Sequence, residues 1–183
     1  DGIKAKLKTT VAPNDNVEIR RLELENTTND EQILEIVTYF EPVLSLKEQD
    51  YAHPAFNNLF LVSEYDEQYK SLIIKRKARV PKQKAIYLVA KTSTDGEKIG
   101  DTEYEIDKEK FIGRGNLGIP NMIKNSLPFS KKVGLFTETV VAIKNTIKIL
   151  PNQKTCIDVV LSVGYDRKEV LETAGKYKKD FNF

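Results

Sequence analysis

Residues 140–165 read VVAIKNTIKILPNQKTCIDVVLSVGY and contain two runs of the β-branched and aliphatic residues that strands prefer. Pro151 and Asn152 lie between the two runs and suit a tight reversal of the chain. The stretch therefore predicts two successive strands. Within the second run, Cys156 is expected to act as a small buried apolar residue.

The N-terminal segment predicts two more strands. Residues 3–11, IKAKLKTTV, alternate apolar and polar side chains, which is typical of a strand with one solvent-facing side. In residues 17–26, VEIRRLELEN, the apolar positions change faces halfway along the run. Because side chains alternate with a period of two, this change predicts a β-bulge near Arg20 and Arg21.

The segment that follows is apolar on both faces. Residues 32–46, QILEIVTYFEPVLSL, match a strand near the centre of a sheet and are the best candidate for the core. Further β-type runs occur at residues 57–65, 71–77, 84–92 and 101–107. About eight short strands separated by turn residues predict an all-β protein, an antiparallel β-sandwich.

One long helix is predicted at the C-terminal end of the chain, over residues 166–181. Asp166 can act as the N-cap, and Glu169 follows three residues later as in a capping box. Apolar residues then recur at helical spacing, at Val170, Ala174, Tyr177 and Phe181. We expect this stripe to dock on the sandwich or on a following domain, and the helix to lead into a linker.

Composition excludes several classes of function. The 183 residues are 40% hydrophobic, which fits one globular domain, and the net charge of +2 gives no strong field for nucleic acid. A single cysteine, Cys156, and a single histidine, His53, allow neither an internal disulfide nor a Cys/His zinc site. No metal or cofactor is expected. Because the chain begins at Asp1 rather than at methionine, we expect residues 1–183 to be one domain excised from a larger polypeptide.

The glycines of FIGRGNLGIP, residues 111–120, have the spacing of a dinucleotide-binding fingerprint, at Gly113, Gly115 and Gly118. That site needs a buried parallel strand before the first glycine and a helix that begins at the third. The preceding residues are mostly charged, and Pro120 follows two positions after Gly118. We therefore expect an irregular loop that glycine permits, rather than a nucleotide site.

No catalytic group stands out in the sequence. His53 lies directly before a proline, which favours extended backbone, and a loop hydrogen bond is a more ordinary role for it than that of a catalytic base. The 27 acidic residues show no spacing that identifies a pair of catalytic carboxylates. The basic run KRKAR, residues 75–79, is either a solvated strand end or a contact for an anion or a sugar hydroxyl.

Six blocks of the chain resemble, in order, the β-sandwich region of glycoside hydrolase family 94, formerly glycosyltransferase family 36. They are VAPNDNVEIRRLELEN, EIVTYFEPVLS, DYAHPAFNNLF, RKARVP, EYEIDKEKFIGRG and GYDRKEVLETAGKY. The similarity is greatest to the phosphorylase-like part of cyclic β-1,2-glucan synthases, and it covers residues 6 to 178. The family pattern ETDR-x-RF-x-GRG corresponds to residues 105–115, with departures at Ile106, Lys108 and Lys110, followed by Asn116 where arginine is frequent.

The resemblance implies a galactose-mutarotase-like supersandwich, packed through a helical linker on an (α/α)6 barrel. That barrel would carry the general acid and the phosphate and would follow residue 183, so this fragment is not expected to be an enzyme. The implied partners are a β-glucan oligosaccharide, the barrel of the parent polypeptide and, in a homodimer, a second subunit; nucleic acid is not among them. The implied location is the cytoplasmic side in bacteria, with membrane association through other regions of the parent.

The resemblance also suggests which residues contact sugar. Loops at 53–58, 76–79 and around Arg114 would lie near the mouth of the barrel. The candidate carbohydrate-binding residues are His53, Asn57, Asn58, Arg76, Arg79 and Arg114. They would donate hydrogen bonds to hydroxyl groups above the face of a tyrosine or phenylalanine ring. The alternative is a structural scaffold and subunit-interface domain with no ligand site of its own.

Overall fold

A computed structural model describes residues 2–114 and 118–177 of the chain. Within these residues there are nine strands and five helices. The strands are β1 Ile3–Val11, β2 Val17–Asn26, β3 Gln32–Phe40, β4 Leu61–Asp66, β5 Ser71–Arg76, β6 Ile86–Thr94, β7 Glu97–Asp107, β8 Thr139–Ile149 and β9 Lys154–Gly164. The helices are α1 Lys47–Ala52, α2 Pro54–Asn58, α3 Lys108–Ile112, α4 Asn121–Lys124 and α5 Arg167–Lys176. No helix in the described ranges is long and apolar enough to cross a membrane.

The strands form two antiparallel sheets packed face to face, which confirms the predicted all-β sandwich. The larger sheet has the order β1-β2-β9-β6-β5-β4, and the smaller has the order β3-β8-β7. Alternate side chains of both sheets meet in the core, where Ile74, Ile106 and Val141 are fully buried. Burial of each such side chain contributes roughly 1.5–3 kcal/mol, so this inner layer holds the sheets together.

The chain reverses at Pro151 and Asn152 as predicted, and the reversal carries it from one sheet to the other. Asn152 adopts a positive φ of 59°, and the backbone N–H of Gln153 donates to the carbonyl of Leu150. β8, before the turn, is the central strand of the smaller sheet, whereas β9, after it, lies between β2 and β6 in the larger. The side-chain amide of Asn26 secures the crossing by donating to the carbonyl of Leu150 at 3.2 Å.

The predicted bulge at Arg20 and Arg21 is wrong. The register of β2 with β1 and with β9 runs through both residues without a shift. The apolar positions change faces because different layers cover the two ends of β2. Ile19 packs under α5 on the outer side of the larger sheet, and Leu24 packs against β8 on the inner side.

The prediction of a central position for β3 is also wrong, since β3 is an edge strand of the smaller sheet. Its side chains are apolar on both faces because each face has a covering layer. Ile36 points to the core between the sheets, while Tyr39 stacks on Phe111 of α3 with ring centroids 5.2 Å apart. Ile33, at the start of the strand, is 58% exposed.

The C-terminal helix α5 begins after the predicted N-cap, since the Asp166 carboxylate accepts from the backbone N–H of Glu169 at 2.9 Å. Val170, Leu171 and Ala174 are buried against the outer face of the larger sheet. The predicted stripe therefore docks on the sandwich itself. Tyr177 follows the end of the helix, and Phe181 lies outside the described residues.

The glycine-rich segment follows the short helix α3 and has no βαβ context. Gly113 has a φ of 81°, and a Cβ added there would lie 2.8 Å from the Cβ of Asn121. The space beside Gly118 is open, and Gly115 lies outside the described residues. Gly113 therefore serves a positive-φ turn against α4, in agreement with the expected irregular loop.

Candidate functional site

Five of the six predicted contact residues lie together at one end of the sandwich. His53 separates α1 from α2, whose last two residues are Asn57 and Asn58. Arg76 ends β5, and Arg79 follows in the loop that leads to β6. Pro54 starts α2 at a position where its missing N–H leaves no hydrogen bond unmade. The two short helices close the end of the sandwich beside this loop.

Arg76 is buried because of its place in the strand alternation. Leu72 and Ile74 precede it on the inner face of β5, and Arg76 continues that face with only 3% of its surface exposed. Burial, and then the charge of Arg79, lower the pKa of the Arg76 guanidinium. An inward arginine at the end of the core needs hydrogen-bond acceptors, since unpaired buried donors are costly.

Asn57 supplies those acceptors. The Arg76 guanidinium donates to the Asn57 side-chain oxygen at 2.8 Å and to the Asn57 carbonyl at 3.2 Å. The side-chain amide of Asn57 donates to the carbonyls of Gln49 and His53, at 2.7 and 3.1 Å. These bonds tie α1, α2 and β5 together. Arg76 and Asn57 therefore hold the fold at this end, and both are buried away from solvent.

The space beside this pair is too small for a sugar ring. A cavity of about 90 Å³ is lined by Arg76, Asn57, Asn58, Asp50 and neighbouring residues. Ligand pockets for small molecules usually have volumes of about 300–1,000 Å³. Any ligand at this end must therefore contact the outer surface rather than enter the cavity.

Arg79 lies on that outer surface and contacts two aromatic rings. Its guanidinium lies 4.9 Å from the ring centroids of both Phe56 and Phe60, and these two rings meet edge to face at 5.2 Å. Arg79 is exposed, and its guanidinium has no carboxylate partner among the described residues. Contact with two rings restrains the guanidinium while leaving N–H donors available to a ligand.

Exposed aromatic and aliphatic side chains occur on α1, on α2 and in the loop that carries Arg79, and the sequence analysis did not single them out. Tyr51 on α1 is 91% exposed, so its ring faces are free. Phe56 and Leu59 are exposed on and just after α2, and Val80 is exposed in the loop. The only signal in the sequence is DYAHPAF, where two aromatic residues flank His53 and Pro54.

The remaining predicted residues differ in whether their side chains are free to contact a ligand. The imidazole of His53 is exposed between the two helices. The side-chain oxygen of Asn58 accepts from the backbone N–H of Thr139 at 3.3 Å, which links α2 to β8. Arg114 lies past α3 and pairs with Glu109 at 2.7 Å. Arg114 is therefore held by its own ion pair, and no contact joins it to the other five residues within the described ranges.

The described residues contain no group of three or more His, Cys, Asp or Glu side chains that could hold a metal ion. Cys156 is half-buried on the outer side of β9, a correction to its expected burial. Burial, followed by the nearby Asp95 carboxylate, raises the pKa of the Cys156 thiol to about 11. A thiol with so high a pKa is a poor nucleophile at neutral pH, because the thiolate is the reactive form.

Comparison with known proteins gives two matches that cover nearly all of the chain. The family model described as "Glycosyl hydrolase 94, supersandwich domain" matches residues 1–180. The chain is also 22% identical, over 182 residues, to the cyclic beta-(1,2)-glucan synthase NdvB of Rhizobium meliloti (strain 1021). That match covers 99% of this chain and 6% of the relative, so the chain spans a small part of the relative's length.

Proposed function

Since this chain belongs to the family of glycosyl hydrolase 94 supersandwich domains, we propose that it positions a β-glucan chain for a larger β-glucan-processing enzyme. In this proposal the domain has no turnover of its own. The reaction takes place in other parts of the parent polypeptide, in the barrel that the family resemblance implies. The domain contributes a surface along which the glucan is held.

The observation that carries the proposal is the exposed guanidinium of Arg79, which lies 4.9 Å from the ring centroids of Phe56 and Phe60 and has no carboxylate partner in the part of the chain that the structure describes. Sugars are bound by hydrogen bonds to their hydroxyl groups together with contact between an aromatic ring and the apolar face of the pyranose. Arg79 supplies the donors, and the exposed ring of Tyr51 supplies a free face. His53, two residues after Tyr51, adds a further exposed polar group.

Binding would be tested by titrating the labelled chain with β-1,2-linked glucooligosaccharides and recording amide chemical shifts. We expect saturable shifts confined to residues 46–60 and 77–80. Arg79→Ala should weaken the binding by about 10- to 150-fold, because a hydrogen bond from a charged donor contributes about 1.5–3 kcal/mol. Arg20→Ala is the matched control, since Arg20 pairs with Glu18 on β2 and should leave the affinity unchanged.

A second candidate function is that of a scaffold that supports the barrel or a subunit interface. It is favoured by the exposed aliphatic side chains of Leu46, Leu59 and Val80, which offer nothing to a sugar hydroxyl and suit a protein contact. It is also favoured by Arg76 and Asn57, which are fully used within the fold. A flat response to millimolar oligosaccharide would support the scaffold and contradict sugar positioning.

A further inference from the structure

The end of β5 and the loop that follows it concentrate positive charge in a protein that is otherwise nearly balanced. Residues 75–84, KRKARVPKQK, contain six of the 29 basic residues and none of the 27 acidic ones. Arg76 is buried, whereas the other five are exposed or half-buried, so a chain of small net charge has a basic local surface here. We call residues 75–84 the basic loop.

Carboxylates elsewhere in the described residues neutralise many lysines and arginines, but none pairs with the basic loop. On the larger sheet, for example, Lys8 pairs with Glu23 and Lys154 pairs with Glu25. Within the basic loop, Lys75 lies over the Tyr87 ring at 5.6 Å, and Arg79 lies on the phenylalanine rings. Among the described residues, no ion pair joins the loop's cations to an acidic side chain.

Three lysines between β5 and β6 are available to an external partner. Lys77, Lys82 and Lys84 are all exposed, and each carries its charge on a long flexible side chain. Neighbouring cations repel one another, and an anionic partner would relieve that repulsion. A neutral glucan cannot supply that countercharge.

Exposed apolar side chains border the same loop. Val80 lies inside it and is exposed. Phe56 contacts Arg79, and Leu59 directly precedes Phe60, whose carbonyl accepts from the backbone N–H of Lys77 at 2.9 Å. Lysines beside exposed aliphatic and aromatic residues are typical of surfaces that rest on a membrane, where the cations meet anionic headgroups and the apolar side chains enter the interface.

We propose that the basic loop and the adjoining residues of α2 dock the domain on an anionic phospholipid bilayer. Charge complementarity selects this partner, since a headgroup layer offers many negative charges across a flat surface that exposed lysines can reach. The contact is peripheral. The three lysines that it uses, Lys77, Lys82 and Lys84, are not among the side chains assigned to the glucan, although Arg79 lies in the same loop.

The test is sedimentation of the purified chain with vesicles of roughly one-third phosphatidylglycerol in phosphatidylcholine, compared with vesicles of phosphatidylcholine alone. We expect binding to the first and none to the second, and loss of binding near 1 M salt. The triple variant Lys77→Gln/Lys82→Gln/Lys84→Gln should bind about 100-fold more weakly, at about 1 kcal/mol for each lysine. Circular dichroism would verify that the variant is folded.

The matched control removes the same number of charges elsewhere. Lys4, Lys6 and Lys132 are exposed lysines outside the basic loop, and their triple change to glutamine should reduce binding less than about threefold. Leu59→Ser/Val80→Ser tests the apolar contribution, and we expect it to weaken binding about tenfold without altering the net charge.

Four results would overturn the proposal. The first is equal binding to the two vesicle types, and the second is an equal loss in the control triple. The third is full displacement by millimolar glycerol phosphate or inorganic phosphate, which would identify a site for a free phosphate group. The fourth is tighter binding of a single-stranded oligonucleotide through the same three lysines. Failure of sugar titration leaves each of these outcomes unaffected, so the two proposals are judged separately.

Discussion

Replacing Arg76 with alanine is expected to destabilise the domain by about 2–3 kcal/mol, although the residue belongs to a basic run that looks like surface. The change leaves the carbonyl and side-chain oxygens of Asn57 without their donor, and an unsatisfied buried group costs about 1–3 kcal/mol. It also removes packing, since the guanidinium lies 5.5 Å from the Phe60 ring centroid. Removing a buried charge offsets part of this loss, because desolvation disfavours the charged form of Arg76.

Urea unfolding of the wild type, Arg76→Ala and Arg79→Ala would measure the difference. Arg79 is exposed and loses only its ring contacts, so its replacement should cost about 0.5–1 kcal/mol. The double variant Asn57→Ala/Arg76→Ala should cost less than the sum of the single changes by about 1 kcal/mol or more, because the two side chains share their hydrogen bonds. In a thermal scan, the Arg76 variant should melt roughly 5–10 °C lower.

A structural role for Arg76 is refuted if Arg76→Ala lies within about 0.5 kcal/mol of the wild type, or if Arg79→Ala is equally destabilising. Either result would mean that Arg76 is not the buried tie between β5 and the two short helices. Additive effects of Asn57 and Arg76 would contradict their direct pairing. A surface role for the whole basic run would then be the better interpretation.

Two further predictions concern the loop after α3 and the N-terminal end of α5. Gly113→Ala should lower the free energy of unfolding in urea by about 1–3 kcal/mol, because a side chain at a φ of 81° is strained and its Cβ would lie 2.8 Å from the Cβ of Asn121. Gly118→Ala is the control, since the space beside Gly118 is open, and it should change the stability by less than about 0.5 kcal/mol. Equal effects of the two changes would contradict this prediction. The backbone N–H of Tyr69, followed by the Arg167 guanidinium, lowers the pKa of Asp66 below its ordinary 3.8. The Asp66 carboxylate therefore stabilises the fold fully at neutral pH, and this stabilisation is lost as the pH falls from 3.8 through the lower pKa of the folded state. The difference in unfolding free energy between wild type and Asp66→Asn should shrink over that range. A difference that stays constant on acidification would contradict this prediction.

The sandwich could be predicted from the sequence because side-chain alternation is a local property of each strand. The errors arose where a layer outside the sheets decided which face was buried. Apolar residues on both faces of β3 indicated a central strand, but α3 covers the second face of what is an edge strand. The change of faces in β2 indicated a bulge, but α5 and β8 cover its two ends in turn. A single sequence does not show which helix covers which strand.

The candidate site was only partly predictable for a related reason. Residue type grouped Arg76 with Arg79, although strand register separates their roles. The alternation that runs through Leu72 and Ile74 places Arg76 on the inner face of the sandwich, and this signal is present in the sequence itself. The contact of Arg79 with Phe56 and Phe60 depends on how two short helices fold over the end of a sheet. Pairwise spacing in the sequence carries no signal for that contact.

Strand register also explains how one basic run can serve the fold and a partner at the same time. Arg76 is the last residue of β5, so its side chain is committed to the inner face and is satisfied there by Asn57. Beyond it the chain leaves the sheet, and Lys77, Lys82 and Lys84 are no longer constrained to alternate faces. The buried arginine anchors the base of the basic loop by holding α2 against β5. Arg76→Ala should therefore weaken both the sugar contact and the membrane contact, although the Arg76 side chain is buried and touches neither ligand. Arg76 is in this sense a positioning residue for the whole surface.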